Sequence, residues 1–125
     1  LVVIGVPTLT VPAVLEECAA HLDPAVTVTD VASVKGSVVA AAVSAYGVVP
    51  AQLVPGHPIA GSEKSGVSAA NSALFVDHRV ILTPLPESDP AHIERVRAPI
   101  LRRRLSRFHP HRRQRPGDVA RHRAG

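Results

Sequence analysis

Short runs of apolar residues alternate with helical patterns over residues 1–97, and this alternation constrains the fold more than any other feature. Strands are expected at residues 1–6, 26–29, 53–54 and 79–83, where valine, isoleucine and leucine predominate. Helical patterns with short connections lie between them. Strands that alternate with helices are typical of a parallel sheet with covering helices. The sequence therefore predicts an α/β fold.

Capping and breaking residues mark the expected helix ends. Thr10 precedes an apolar stripe at helical spacing and is expected to cap the first helix, which ends at Asp23-Pro24. A second helix is expected over 33–45, closed by Gly47, and a third begins at residues 89–90. Residues 55–66, PGHPIAGSEKSG, are expected to form a loop.

Charge is distributed unevenly along the chain. Residues 1–97 carry five Lys/Arg against nine Asp/Glu, whereas residues 98–125 carry nine arginines and one acid. The second stretch also contains three prolines and no sustained periodicity, so we predict a disordered, Arg-rich tail beyond Arg97. A reading-frame shift near Arg97 is one hypothesis for so abrupt a change. Arginines attract polyanions, but nothing in residues 1–97 indicates a nucleic-acid partner.

Other classes of protein are disfavoured by what the sequence contains. The single cysteine, Cys18, excludes an internal disulfide and lies on the apolar stripe of the first helix, where core packing is expected. No apolar stretch approaches the roughly 20 residues that span a bilayer, so we expect a cytoplasmic protein without a membrane partner. No metal site is expected, because His109 and His111 lack a cysteine or carboxylate at useful spacing.

His57 is the first candidate for chemistry. It lies between Gly56 and Pro58, directly after a predicted strand, and ligands of parallel sheets bind beyond the carboxyl ends of the strands. Because imidazole titrates near neutral pH, a histidine held there can act as a general base. A surface histidine without a role is the alternative.

Ser33 and Lys35 follow Asp30 at the end of the second predicted strand. Ser33 suits a helix N-cap that also faces the ligand crevice. Lys35 lies in the first helical turn, where a cation opposes the helix dipole. That position indicates an anionic neighbour, such as a cofactor phosphate or a substrate carboxylate, and a solvated lysine is the alternative.

Four segments together resemble the prephenate dehydrogenase family, which includes cyclohexadienyl and arogenate dehydrogenases. They are VVIGVPT, VTDVASVKG, VPGHPIAGSEKSGV and VILTP, in the order and spacing of that family's nucleotide-binding domain. The resemblance spans residues 1–97. It implies an incomplete Rossmann-like domain, the C-terminal part of a dinucleotide-binding dehydrogenase domain, followed by the tail of residues 98–125.

The resemblance also implies an activity and a set of roles. The family catalyses the NAD(P)-dependent oxidative decarboxylation of prephenate to 4-hydroxyphenylpyruvate in tyrosine biosynthesis, or acts on arogenate. By this resemblance His57 takes the proton of the ring hydroxyl, and Ser33 orients both His57 and that hydroxyl. Ser62 and Glu63 lie on the substrate side. Val6, Pro7 and Thr8 would line the dinucleotide, NAD or NADP.

Two family features have no counterpart in the sequence. There is no G-x-G-x-x-G phosphate loop, and the helical second domain, through which family members form homodimers, is not recognisable after Arg97. We therefore expect this chain to be a piece of a longer enzyme and inactive alone. Another dinucleotide-fold dehydrogenase, or a non-enzymatic fragment with a polyanion-binding basic tail, are the alternatives.

Overall fold

The computed structural model describes residues 1–64 and 66–105 of the chain. The helices and strands of this part are, in order, β1 (Val2–Ile4), α1 (Val11–His21), β2 (Val28–Asp30), α2 (Lys35–Tyr46), β3 (Leu53–Val54), β4 (Gly56–Pro58), β5 (Val80–Leu82) and α3 (Pro90–Leu105). Single 3-10 turns occupy Thr8–Thr10 and Val67–Ala69.

The three strands β1, β2 and β3 form a parallel sheet in that order. Val28 lies opposite Val2 on one side and Leu53 on the other, so β2 is the central strand. All three residues of β2 are buried. Parallel neighbours need crossover connections, and α1 and α2 supply them. The predicted α/β class with a mostly parallel sheet is confirmed.

The helices α1 and α2 pack against each other over the sheet and enclose the core. In α1, the buried side chains Val11, Leu15 and Cys18 recur at helical spacing, as the apolar stripe predicted. Burial, and secondarily the negative charge of Glu17, raise the pKa of the Cys18 thiol. The core consists of Ile4, Val11, Leu15, Val28, Ala32, Val38, Ala42 and Leu53.

The structure shows whether three of the residues expected at helix ends lie there. Thr10 is the N-cap residue of α1, although its side chain makes no capping hydrogen bond. Gly47 closes α2 in the left-handed conformation, with φ of 75°, which favours glycine. The prediction that Ser33 caps α2 is wrong. The helix begins at Lys35 and its N-cap residue is Val34, because the chain stays extended for one residue longer.

The segment predicted as a loop after β3 contains a strand. Residues Gly56–Pro58 form β4, which pairs antiparallel with β5 and places His57 opposite Ile81. A three-residue strand that begins with glycine and ends with proline has no apolar alternation, so its sequence carries no strand signal. The pairing is imposed by β5, which was expected as a strand over 79–83.

Polar contacts hold α3 against the parallel sheet. The Thr27 hydroxyl is hydrogen-bonded to Nδ1 of the buried His92 at 2.6 Å. Ser88, just before the helix, donates its hydroxyl hydrogen to the carbonyl oxygen of Leu53 at 2.7 Å. These bonds satisfy polar groups that would otherwise be buried without partners.

The helix α3 continues to Leu105, past Arg97, where the sequence predicted that regular structure ends. Leucine and arginine are good helix formers, which favours this continuation although Pro99 lies inside the helix and cannot donate a backbone hydrogen bond. The rest of the predicted disordered tail, with His109 and His111, lies outside the described residues. Within residues 1–64 and 66–105, no helix is long and apolar enough to cross a membrane.

A matched pair of leucine substitutions tests the core. Leu15 has no exposed surface, whereas Leu9 is 96% exposed. Leu15→Ala should lower the free energy of unfolding by about 2–5 kcal/mol, since it removes packed atoms and leaves a cavity. Leu9→Ala should change it by less than about 0.5 kcal/mol. Urea denaturation followed by circular dichroism measures both, and equal effects would contradict this core.

Candidate functional site

The carboxyl ends of β1 and β2 lie side by side and form one edge of the sheet. The backbone N–H of Val31 donates to the carbonyl oxygen of Ile4 at 3.1 Å, directly beyond the paired residues. Ligands of parallel sheets bind beyond this edge. Val6, Pro7 and Thr8, the predicted dinucleotide contacts, follow β1 here. Val6 and Thr8 are partly buried and Pro7 is exposed.

Large apolar side chains are exposed along the same edge. Leu9 follows β1, and Val31 and Val34 follow β2; their exposed fractions are 96%, 37% and 51%. Exposed apolar side chains that follow the strands at this edge are available to the apolar parts of a ligand.

A buried carboxylate lies where β2 ends. Asp30 is 1% exposed, and its carboxylate accepts three hydrogen bonds. The donors are the backbone N–H of Ala32 at 2.9 Å, the backbone N–H of Gly56 at 3.2 Å, and the Lys35 ammonium, which forms an ion pair with it. This carboxylate therefore joins the end of β2, the first turn of α2 and the start of β4.

The anionic neighbour of Lys35 is a group of the protein itself. The sequence indicated a cofactor phosphate or a substrate carboxylate, and the structure shows the Asp30 carboxylate in that place. Lys35 also donates to the carbonyl oxygen of Gly56 at 2.6 Å. Its side chain is 21% exposed, so the alternative of a solvated lysine is excluded as well.

His57 is partly buried, and its ring is held by the backbone. Nδ1 lies 3.1 Å from the carbonyl oxygen of Ala32. Because a carbonyl only accepts hydrogen bonds, Nδ1 carries the proton in this contact and Nε2 carries the lone pair of the neutral ring. The geometry thus leaves Nε2 as the basic atom.

The other predicted site residues make no described contact with His57. Ser33 is exposed and makes no hydrogen bond with His57 among the described contacts. Ser62 and Glu63 are exposed too. Ser62 lines an open cavity of about 500 Å³, to which His57 does not contribute. The other residues that line this cavity are Lys64, Gly66, Ser68, Ala69, Ala70, Asn71 and Leu74. The cavity therefore does not mark the place where His57 would act.

Sequence reasoning missed the contacts around His57, in which Ala32 holds the ring and Asp30 binds the backbone N–H groups of Ala32 and Gly56. One signal was available: an aspartate that directly follows a buried strand, with a lysine five residues later in the first turn of a helix. The carbonyl of Ala32 carries no signal, because every residue has one. Among the described residues, no group of three His, Cys, Asp or Glu side chains could hold a metal ion.

Most of the chain matches a known protein family. The family description "Prephenate dehydrogenase, nucleotide-binding domain" matches residues 1–105. The chain belongs to the prephenate dehydrogenase family. The match includes residues 98–105, which the sequence analysis had assigned to the tail, and it agrees with the continuation of α3 to Leu105.

Individual relatives agree with the family. Prephenate dehydrogenase of Bacillus subtilis is 39% identical over 99 residues, which are 77% of this chain and 26% of that protein. The crystal structure of prephenate dehydrogenase from Aquifex aeolicus with hydroxyphenyl propionate and NAD+ is 34% identical, with a TM-score of 0.66, and the match covers 77% of this chain and 32% of that one. Arogenate dehydrogenase of Synechocystis is 32% identical, with a TM-score of 0.65, over 77% of this chain and 33% of that one. This chain thus spans about a quarter to a third of the length of these relatives.

The close approach at Gly56 can be tested with two glycine substitutions. A Cβ atom at Gly56 would lie 3.0 Å from the Asp30 carbonyl oxygen and 3.2 Å from Thr29 Oγ1, whereas one at Gly61 would meet nothing within 4 Å. Gly56→Ala should lower the free energy of unfolding by about 1–3 kcal/mol, as overpacking does. Gly61→Ala should change it by less than about 0.5 kcal/mol. Denaturant titration of the two variants checks this, and a neutral Gly56→Ala would contradict the packing.

Proposed function

We propose that this chain supplies the general base and part of the dinucleotide site of an NAD- or NADP-dependent dehydrogenase. Its reaction would be the oxidative decarboxylation of prephenate to 4-hydroxyphenylpyruvate in tyrosine biosynthesis. The observation that carries the proposal is the His57 ring, with Nδ1 held by the Ala32 carbonyl and Nε2 left as the basic atom. Membership of the family and the identity with prephenate dehydrogenase of Bacillus subtilis support it.

In this reaction Nε2 of His57 accepts the proton of the ring hydroxyl. The carbon that bears this hydroxyl loses its hydrogen as a hydride, which an oxidised nicotinamide bound there would accept, and becomes a carbonyl carbon. Loss of CO2 from the opposite ring carbon leaves its electron pair in the ring, which becomes aromatic, and the ring oxygen takes up a proton to give the 4-hydroxyphenyl group. When it accepts the proton of the substrate hydroxyl, the imidazole of His57 becomes cationic. The Ala32 carbonyl oxygen, which accepts the Nδ1 hydrogen, stabilises that charge, because hydrogen bonds from an ionised donor are stronger than those from a neutral one.

The described residues fit part of a dinucleotide site. Val6, Pro7 and Thr8 leave β1 at the edge of the sheet, beside the exposed side chains of Leu9 and Val31, and would lie against the nicotinamide half. A bound NAD or NADP would supply the hydride acceptor. The crystal structure of the Aquifex aeolicus relative contains NAD+, which supports this assignment.

The remaining roles follow from the family resemblance. Ser33 would contact the ring hydroxyl of the substrate and thereby orient it toward His57. Ser62 and Glu63 would lie on the substrate side, where the exposed loop can reach a ligand. Arogenate is the alternative substrate, and one relative is an arogenate dehydrogenase. We further propose a cytoplasmic location and a homodimeric assembly of the whole enzyme, with no nucleic-acid or membrane partner.

A chimeric enzyme provides the test of function. The aligned segment of the Bacillus subtilis prephenate dehydrogenase, 99 residues in length, is replaced by the corresponding residues of this chain. With prephenate and NAD+ or NADP+, the chimera should form NADH or NADPH. His57→Ala should lower kcat about 10²- to 10⁴-fold, as loss of a general base does, which corresponds to roughly 3–5 kcal/mol of barrier.

His78 provides the matched control, since it is an exposed histidine whose Nδ1 also lies near a backbone carbonyl, that of Ile59 at 2.9 Å. His78→Ala should keep kcat within about twofold, because a surface substitution leaves the site intact. A folded His57→Ala chimera with the parent kcat would refute the role of His57. A folded chimera without dehydrogenase activity would refute the proposed function.

Ser33 is tested in the same chimera. Ser33→Ala should lower kcat about 5- to 10-fold and leave the KM for the dinucleotide nearly unchanged, since one hydrogen bond to the substrate is worth about 1 kcal/mol. Ser37, exposed in the first turn of α2, is the control, and Ser37→Ala should have no kinetic effect. Equal kinetics of the two variants would assign Ser33 no role in turnover.

A further inference from the structure

The Asp30 carboxylate lies at the junction of three segments that surround His57. It ends β2, binds the N–H of Ala32 in the following turn, pairs with Lys35 in the first turn of α2, and binds the N–H of Gly56 at the start of β4. The side chain has no exposed surface. Since water cannot reach the carboxylate, these protein donors must all stay in place while it remains ionised.

Two of the donor residues also fix His57. Ala32 is bound to Asp30 through its N–H, and its carbonyl oxygen accepts the hydrogen of His57 Nδ1. Gly56 is bound through both of its backbone groups: its N–H donates to Asp30, and its carbonyl oxygen accepts from Lys35. That carbonyl belongs to the peptide bond that leads into His57. The ring and the backbone of His57 are therefore both tied to the Asp30–Lys35 pair.

The segments joined by these hydrogen bonds are closely packed and have little room to move. A Cβ atom at Gly56 would lie 3.0 Å from the Asp30 carbonyl oxygen, so the backbones of β2 and β4 are already in close contact. A shift of either segment moves the Ala32 carbonyl relative to the imidazole. The contact that sets the tautomer would then lengthen and bend, and hydrogen bonds weaken steeply with misalignment.

We propose that the Asp30–Lys35 pair is the positioning element of His57, which keeps its Nδ1 protonated and directs Nε2 toward the substrate. Neither residue touches the reacting atoms in this role. The catalytic meaning of the proposal rests on the proposed function, whereas the effect on the imidazole does not and can be measured without substrate.

The ion pair with Asp30 also distinguishes a positioning role of Lys35 from the binding of a ligand anion. The positive charge of Lys35 is neutralised by Asp30, and a second hydrogen bond goes to a backbone carbonyl. A lysine that bound a substrate carboxylate or a cofactor phosphate would act mainly on KM. A positioning residue acts mainly on kcat. When the base is misplaced, the substrate and the dinucleotide still bind as tightly, but the proton transfer is slower.

The first experiment is nitrogen-15 NMR of the histidine rings in the 125-residue chain, at a pH where the imidazoles are neutral. The chain has seven histidines, so the His57 signals are assigned from their loss in His57→Gln. The wild type should show Nδ1 protonated and Nε2 unprotonated, the reverse of the tautomer that free histidine favours. Long-range ring correlations distinguish the two tautomers directly.

Two variants remove the pair in different ways. Lys35→Met leaves the Asp30 carboxylate buried without its counterion, which destabilises the fold. The double variant Asp30→Asn with Lys35→Met removes both charges and should recover much of the lost Tm. In both, the His57 signals should move toward the mixture of tautomers seen in free histidine. Glu94→Gln breaks the exposed ion pair with Arg97 and should leave them unchanged.

Three outcomes would overturn the proposal. The first is a wild-type His57 protonated on Nε2. The second is a folded Lys35→Met or double variant that keeps the wild-type ring signals. The third is loss of folding in both variants, because the pair would then be required by the whole fold rather than by the orientation of one ring.

Kinetics of the chimera connect the ring to turnover. Lys35→Met should lower kcat about 10- to 100-fold, the size of effect expected from a small misplacement of a catalytic group, with KM for prephenate and the dinucleotide changed less than about threefold. A rise in KM with unchanged kcat would overturn the positioning role in favour of anion binding. An inactive parent chimera would refute the proposed function and leave the NMR result standing by itself.

Discussion

A carboxylate without access to water has to be matched by donors from the protein, and Asp30 meets that demand with one ammonium group and two backbone N–H groups. Each donor comes from a different segment, so the end of β2, the start of α2 and the start of β4 are fixed relative to one another. The parallel sheet brings these segments to one edge. The ionic contacts then set the final geometry there, at the point where His57 needs it.

The large-scale architecture could be predicted because it follows from burial. The apolar runs at β1 and β2, the stripe of Val11, Leu15 and Cys18, and the glycine after α2 each have one favourable structural solution. His57 was predicted as a site residue from its position after a strand and from the family motif. Its role stays a prediction, and the structure adds the contact that orients the ring.

Features that depend on contacts distant in the sequence could not be predicted. The strand β4 exists because β5 lies beside it, and β5 is more than twenty residues away. Lys35 indicated an anion correctly but not which one, since a pattern does not distinguish a bound ligand from a side chain five residues earlier. The N-cap expected at Ser33 failed because capping propensity does not show where the backbone turns into the helix.

The Asp30–Lys35 pair also restricts how this sequence can change over time. Loss of the lysine leaves a buried anion unpaired, and loss of the aspartate leaves a largely buried cation unpaired, so either single change lowers the stability of the fold more than the joint change does. Neutral drift at one position therefore requires a nearly simultaneous change at the other. The two positions are therefore coupled in evolution. A different way of positioning His57 can arise only through a less stable intermediate that lacks one partner of the pair, or through changes at residues 32 and 56.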